Sequence, residues 1–307
     1  MTTPETASRS LLATLSDELA DAVEAAGASV VTVYARQRMP GSGIVWTNDG
    51  LIVTASHVVE RDEDITVGLP DGRTVPAKLA GRDAGTDLAL LSTGLGDLEP
   101  ARRSATEPRV GHLALAIGRP GPSGAMASFG AVTNVGGEWR TPRGATVEGF
   151  LRADAAMLPG FSGGPLVDGE GAVIGINSST LGRGGGLTIP NDAIDTIVEA
   201  LLAHGRVRRG YLGVGTQQVQ IPQAQVDAHR LADPRGLLIV QLENGSPAER
   251  GRLFLGDVIV AVDGDPVVTI DALQAHLDGG RIGKVSTVRV LRGGEVREVP
   301  VTIGDRT

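Results

Sequence analysis

Cysteine is absent from the 307 residues. Disulfides, thiol catalysis, iron–sulfur clusters and cysteine zinc sites are excluded together. Aromatic residues make up only 3% of the chain. No window holds 18 uninterrupted apolar residues, so no membrane span is expected. Positive charge is in deficit: 28 Lys+Arg stand against 36 Asp+Glu, a net charge of −8. Such a chain has no global field for nucleic acid or anionic lipid. No G-x-G-x-x-G or G-x-x-x-x-G-K-[ST] occurs, and His57-Val58-Val59-Glu60-Arg61 fits neither zinc-helix pattern. No cofactor and no metal are expected. Met1 to Ser10 is polar and no apolar leader core follows it. On that basis the chain is expected to be cytoplasmic, and extracytoplasmic only if its start is mis-assigned.

Glycine, in contrast, is abundant, at 44 residues, and 41% of the chain is hydrophobic. A folded chain with many tight turns is expected. At roughly 150 residues per domain, the length suggests two domains. Leu11, Leu15, Leu19 and Val23 recur every four residues, with acidic residues between them. This predicts an amphipathic helix over 10–26, capped by Ser8 or Ser10. From Ala28 the period shortens. Short apolar runs such as 51–54, 88–91, 113–117 and 173–177 alternate with glycine turns. Many short strands at near-regular spacing predict a barrel or sandwich. Asn191 to His204 returns to helical spacing, with Asn191 or Asp192 as its cap and Gly205 as its end. The remainder mixes strands with short helices, among them Ser246-Pro247-Ala248-Glu249, a capping box with proline at the first helical position.

Gly160-Phe161-Ser162-Gly163-Gly164-Pro165 is the densest motif. A serine between glycines can expose its hydroxyl on a tight turn, and glycine lets backbone N–H groups approach an oxyanion. The bland reading is a glycine turn between strands. A nucleophilic serine also needs a base and a group to orient that base. Of the five histidines, His57 alone follows directly on an apolar strand, in Thr54-Ala55-Ser56-His57-Val58. Asp87 enters the apolar run Leu88-Ala89-Leu90-Leu91, which is costly without a hydrogen-bonding partner. A structural histidine and a turn aspartate are each ordinary features. Their joint occurrence with Ser162, in the order His, Asp, Ser, is not.

With these pieces the chain resembles a chymotrypsin-fold serine peptidase of the HtrA/Deg type with one C-terminal PDZ domain. The resemblance runs from roughly Ser29 to Asp305. It rests on Gly41-Ser42-Gly43, Thr54 to Val58, Asp83 to Leu91, Asp154-Ala155-Ala156, Pro159 to Leu166, Ile174 to Asn177, Arg209 to Val214, Gly245 to Ala248 and Gly256 to Ile259. It implies a mainly β fold, with a chymotrypsin-like double β-barrel over 29–204 and a connector with a small β/α PDZ domain over 205–307, after an N-terminal extension over 1–28 that carries the amphipathic helix.

By resemblance His57 is the general base, Asp87 its orienting partner and Ser162 the nucleophile. The N–H groups of Gly160 and Ser162 form the oxyanion hole. The substrate pocket is lined by Ala156, Met157, Asn177, Ser178, Ser179 and Gly186. Tyr211-Leu212-Gly213-Val214 is the carboxylate-binding loop of the PDZ domain, with the helix over 269–277 as the groove wall. The implied partners are unfolded or damaged proteins at the barrel and hydrophobic C-termini at the PDZ domain. The family's homotrimer is also implied, although Tyr34 is the one aromatic residue near the usual contacts. Leu158 and Phe161 depart from the family's asparagines. Uncharged Phe161 cannot pair with a new N-terminus, so packing must set its loop, against 119–123 or 181–186.

Two other classes compete. One is a catalytically silent chaperone or PDZ scaffold on a protease fold, which a serine-directed label would separate. The other is an esterase; the G-x-S-x-G elbow of α/β-hydrolases also fits 160–164. That fold needs helical crossovers before the serine and its histidine after it, whereas the region before Ser162 shows strands without crossovers and the best-placed histidine, His57, precedes it.

Overall fold

The computed structural model describes residues 10–37, 39–182 and 186–306. It divides into two compact units, Met1–Val207 and Arg208–Thr307. The first begins with helix α1 (Leu11–Gly27), whose N-cap Ser10 accepts from the Ala13 N–H through its Oγ at 3.2 Å. Ser8, the other capping candidate, lies outside the described residues.

A closed barrel follows, made of β1 (Val30–Tyr34), β2 (Gly41–Val45), β3 (Leu51–Ala55), β4 (Ile65–Gly68), β5 (Thr74–Asp83) and β6 (Leu88–Ser92). A second is built from β7 (Leu113–Gly118), β8 (Met126–Gly136), β11 (Phe150–Ala153), β12 (Pro165–Val167), β13 (Val173–Ser178) and β14 (Leu187–Pro190). The hairpin of β9 (Trp139–Arg140) and β10 (Thr146–Val147) projects between β8 and β11. Helix α2 (Asn191–His204) closes the unit.

The unbroken apolar runs arise because many strands are buried on both faces. Successive strand residues point to opposite sides. Ala89 and Leu91 of β6 therefore enter the first barrel with Val31, Val33 and Ile52. Leu88 and Leu90 face the seam between the barrels with Ile44, Val53, Ile117 and Ile176. β7 splits likewise, Ala114 and Ala116 inside the second barrel and Leu115 and Ile117 at the seam. The apolar face of α2 packs on the same seam. Gly205 ends α2 in the left-handed conformation. The expected N-cap is different: Pro190 occupies that position, and the Asn191 amide instead donates to the Val173 carbonyl at 2.7 Å.

The second unit holds β15 (Gly210–Tyr211), β16 (Val214–Gln220), α3 (Gln223–His229), β17 (Arg235–Leu242), α4 (Pro247–Arg250), β18 (Val258–Val262), β19 (Asp265–Pro266), α5 (Ile270–Ala275), β20 (Val285–Arg292), β21 (Glu295–Thr302) and β22 (Gly304–Asp305). Its main sheet runs β16-β17-β18-β20-β21, which leaves β16 at one edge. Leu237, Ile259, Leu273, Val288 and Val301 form its core. Among the described residues no helix is long and apolar enough to cross a membrane.

Candidate active site

Strand register brings His57 and Asp87 together. In the β3–β6 pair Ala55 lies opposite Leu88. The chain just past the end of β3 therefore meets the chain just before β6. His57 stands in a 3-10 turn, Ser56–Val58, and Asp87 has φ 58, a left-handed conformation that aspartate tolerates better than most residues. Its turn is braced twice: Thr86 N–H donates to Asp83 Oδ2 at 2.7 Å, and Thr141 Oγ1 donates to the Gly85 carbonyl at 2.8 Å.

Asp87 Oδ1 accepts from the His57 backbone N–H at 2.9 Å, and Oδ2 lies 2.7 Å from His57 Nδ1. The hydroxyls of Ser178 and Thr180 also donate to Oδ2, Thr180 at 2.8 Å. Asp87 is 1% exposed. Burial alone would push its carboxyl up. The hydrogen bond and charge of His57, with the two hydroxyls, outweigh burial and hold it below the usual carboxylate range. An ionised Asp87 assigns the imidazole proton to Nδ1 and leaves a lone pair on Nε2.

Ser162 is presented by the loop between β11 and β12. Phe161 is fully buried beside Ala116, Val132, Leu151 and Leu166. A Cβ on Gly118 would fall 2.5 Å from its ring, so the side chain uses a space that only glycine leaves. The expected packing of this loop against 119–123 is met at Gly160, where a Cβ would fall 2.4 Å from Pro120, while the Phe161 ring lies in the barrel instead. The ring turns into the barrel because Gly118 opens a slot on β7. Residues 183–185 of the other expected partner, 181–186, lie outside the described residues.

Ser42 fixes the same loop from the first barrel. Its Oγ donates to the Gly160 carbonyl at 2.7 Å and accepts the Arg119 N–H at 2.8 Å. Its N–H donates to the Ser162 carbonyl at 3.0 Å. Gly160 has φ 84. With these carbonyls engaged, the N–H groups of Gly160 and Ser162 find no acceptor among the described residues. Such donors can receive a developing negative charge.

Ser162 Oγ donates to Ser179 Oγ at 2.9 Å and accepts the Ser179 N–H at 3.3 Å. Ser179 Oγ in turn lies 3.4 Å from His57 Nε2. The structure thus gathers His57, Asp87 and Ser162, with Ser179 between the serine and the histidine.

A shallow cleft, open to solvent, lies in the second barrel. Met157, Asn177 and Gly186 line it, with Leu151, Arg152, Leu187 and Thr188 among others. Ala156, Ser178 and Ser179 are not in its lining. The Ser178 hydroxyl is committed to Asp87, and Ser179 to Ser162. Asn177 is buried and held on both sides, donating to Pro165 O at 2.8 Å and accepting from Thr188 Oγ1 at 2.7 Å. Among the described residues its wall has no carboxylate, and Arg152 is the charged side chain in it. Among the described residues no cluster of His, Asp or Glu could hold a metal ion.

In the second unit Tyr211 ends β15 and Val214 opens β16. Leu212 is buried, and its carbonyl accepts from the Ala248 N–H at 2.9 Å. The Gly213 carbonyl accepts from the Glu243 N–H at 3.0 Å. Gly213 has φ 81, and a Cβ there would strike Ser246 at 2.3 Å. The N–H groups of Leu212 and Gly213 have no acceptor among the described residues. Gln218 ties β16 to the approach to α5 through the Val268 carbonyl at 2.7 Å.

Sequence reasoning gave no role to Ser42, Thr180, Arg152 or Thr141. Ser42, Thr180 and Thr141 act through contacts distant in the chain, as with Ser42 and Gly160, 118 residues apart. Gly41-Ser42-Gly43 was the one legible trace.

Comparison with known proteins agrees with this geometry. Residues 41–176 match the trypsin-like peptidase domain, and 210–303 match the PDZ domain. A probable periplasmic serine endoprotease, DegP-like, from Halomonas elongata is 38% identical over 276 residues, covering 88% of this chain and 57% of that protein. Its counterpart from Pseudomonas putida is 35% identical, covering 86% and 56%. This chain thus spans a little over half the length of these curated relatives. Among solved structures, the serine endoprotease from Yersinia pestis superposes with a TM-score of 0.76 at 30% identity, covering 94% of this chain and 98% of that one. The HtrA-type protease AlgW with tripeptide gives 0.73 at 31%, covering 94% and 97%. The chain belongs to the HtrA/Deg family, with a trypsin-like peptidase domain followed by one PDZ domain.

The relatives are named periplasmic, which corrects the cytoplasmic expectation and points outside the cytoplasm. That expectation was drawn from a missing apolar leader, and such an absence carries no address.

Proposed function

We propose that the chain is a serine endopeptidase acting outside the cytoplasm on unfolded or damaged proteins. His57 takes the Ser162 proton at Nε2, and Asp87 holds the imidazole tautomer and stabilises its charged form. Ser162 Oγ attacks the peptide carbonyl, and the N–H groups of Gly160 and Ser162 receive the oxyanion. The observation that carries this reading is the contact of His57 with the buried Asp87 carboxylate at 2.7 Å, with a serine hydroxyl one contact away.

The cleft beside Met157, Asn177 and Gly186 is the primary specificity pocket in this reading. It favours Val, Ala or Leu at the cleaved position, because a Lys or Arg would be buried without a counter-ion and beside Arg152. The loop Tyr211 to Val214 holds the C-terminal carboxylate of a peptide, which adds as a strand to the free edge of β16. A tripeptide and a decapeptide accompany the AlgW structures, which supports peptide ligands for this fold. A homotrimer is carried as part of this reading, to be checked by sedimentation.

The test is a fluorophosphonate label followed by mass mapping of digested casein. Labelling at Ser162, its loss in Ser162→Ala, and cuts after small apolar residues are expected. The silent-scaffold reading draws on one observation, that Ser162 donates to Ser179 rather than to His57. Failure of both the wild type and a Ser179→Ala variant to label would favour that reading instead. Cuts mostly after Lys or Arg would overturn the pocket.

A further inference from the structure

Ser178-Ser179-Thr180 places three consecutive hydroxyls against the same three groups. β13 ends at Ser178, and the chain bends at Ser179 and Thr180. Ser178 and Thr180 meet at Asp87 Oδ2, and Ser179 turns the other way, to Ser162 and His57.

His57 Nε2 can accept one proton, since Nδ1 is given to Asp87. The hydroxyl hydrogen-bonded to that nitrogen is Ser179, at 3.4 Å. Ser162 instead gives its own hydroxyl proton to Ser179 Oγ, at 2.9 Å. The Ser179 N–H adds a second hold on Ser162 Oγ, at 3.3 Å. Among the described residues no hydrogen bond joins Ser162 directly to His57.

We propose that Ser179 is a positioning residue, a latch that keeps the Ser162 hydroxyl turned away from His57 at rest. The proposal rests on the peptidase reading above. Ser162 must exchange Ser179 Oγ for His57 Nε2 by turning about its Cα–Cβ bond. The chemical step then follows: Ser162 Oγ bonds to the substrate carbonyl carbon, its proton passes to Nε2, and the carbonyl electron pair moves to oxygen. A direct relay, in which Ser162 passes its proton to Ser179 while Ser179 passes its own to Nε2, uses the same three atoms. Its second leg of 3.4 Å is longer than the roughly 2.6–3.2 Å that efficient proton transfer needs. The short contact is the one that restrains the nucleophile, so the geometry favours the latch.

The experiment compares second-order rates of fluorophosphonate labelling, and kcat and KM on a peptide, for full-length wild type and four variants. Ser179→Ala and Ser179→Val lack the hydroxyl. Ser179→Thr keeps it in nearly the shape of valine. Ser162→Ala is the blank. Removing one neutral hydrogen bond that holds the ground state is expected to speed labelling about three- to tenfold in Ala and Val. The gain is expected in kcat with KM unmoved, and Thr is expected to label about three- to tenfold more slowly than Val. Loss of a merely structural hydroxyl would not accelerate the reaction. Slower labelling in both Ala and Val, restored by Thr, identifies the relay and overturns the latch. Equal rates in Val and Thr overturn it as well. If neither wild type nor Ser179→Ala labels at Ser162, the peptidase reading itself fails and the latch falls with it.

Discussion

The two barrels hold their halves of the site by opposite means. The first presents His57 and Asp87 through polar contacts, with three side-chain donors and one backbone N–H converging on one buried carboxylate. The second presents Ser162 by burying its neighbour Phe161 in an apolar slot, with Ser42 reaching across to pin the loop carbonyls. The chemistry explains the contrast. In the proposed cycle a base that becomes charged needs a fixed counter-charge. The oxyanion donors must stay unpaired until a substrate arrives. Their loop is therefore held by its carbonyls and its aromatic ring, and its N–H groups stay open.

Asp87→Asn attacks the polar half directly. An amide at this position can present N–H to His57 Nδ1 and trap the wrong tautomer. A loss on the order of 10⁴-fold in kcat is expected, with the fold intact. Steady-state kinetics with a chromogenic peptide measures it. A variant within tenfold of wild type would show that the carboxylate does not orient the base.

The apolar half can be broken without touching a polar group. Gly118→Ala places a Cβ 2.5 Å from the Phe161 ring, so the ring and its loop must shift. Overpacking of this kind costs about 1–3 kcal/mol of stability. Displacement of the oxyanion donors is expected to lower kcat about 10²- to 10³-fold. Denaturant melts separate the two effects. Wild-type kcat in a protein with a lowered melting point would mean that Phe161 supports the barrel but does not set the loop.

The polar half was also the more legible in the sequence. His57 and Asp87 each break an apolar pattern at a strand end, and such a break is visible locally. The strand runs that form the barrels were legible for the same reason, since burial on both faces writes itself as a continuous apolar run. Phe161 was recognised as an anomaly, but its direction was not. It depends on a single missing side chain at Gly118, in a strand elsewhere in the chain. Thr180 and Ser179 look like ordinary loop residues, and only folding sets them against Asp87 and Ser162. Of the expected pocket residues, Ser178 turns its hydroxyl to Asp87 and Ser179 to Ser162, contacts that no local pattern announces.

Open N–H groups held by engaged carbonyls occur a second time, at Leu212 and Gly213. If the device is the same, a charged ligand end is required there also. Binding of a peptide with an apolar last residue to the full-length Ser162→Ala protein is expected to weaken about 10- to 100-fold when its C-terminus is amidated. Calorimetric titration of the two peptides measures it. Equal affinities would separate the PDZ loop from the oxyanion loop and leave the β16 edge as the whole of the binding site.

The smallest effect probes how the polar half divides its labour. Thr180→Val removes one of the donors to Asp87 Oδ2 and leaves His57 and Ser178 in place. Asp87 is held below the usual carboxylate range in the folded protein. Its ionisation therefore contributes stability that is fully present above the unfolded value of about 4 and is lost as pH falls through the lower folded value. Loss of the Thr180 donor raises the folded value toward the unfolded one. The variant is expected to be about 1 kcal/mol less stable at neutral pH, because an exposed hydroxyl shared with two other donors sits at the low end for bonds to a charged group. The gap is expected to narrow as pH falls below about 4, where the carboxylate that Thr180 serves becomes protonated in both proteins. Urea melts at pH 7, 5, 4 and 3 follow it. A gap that stays constant across this range would mean that Thr180 acts through packing of the 178–180 segment and not through the charge of Asp87.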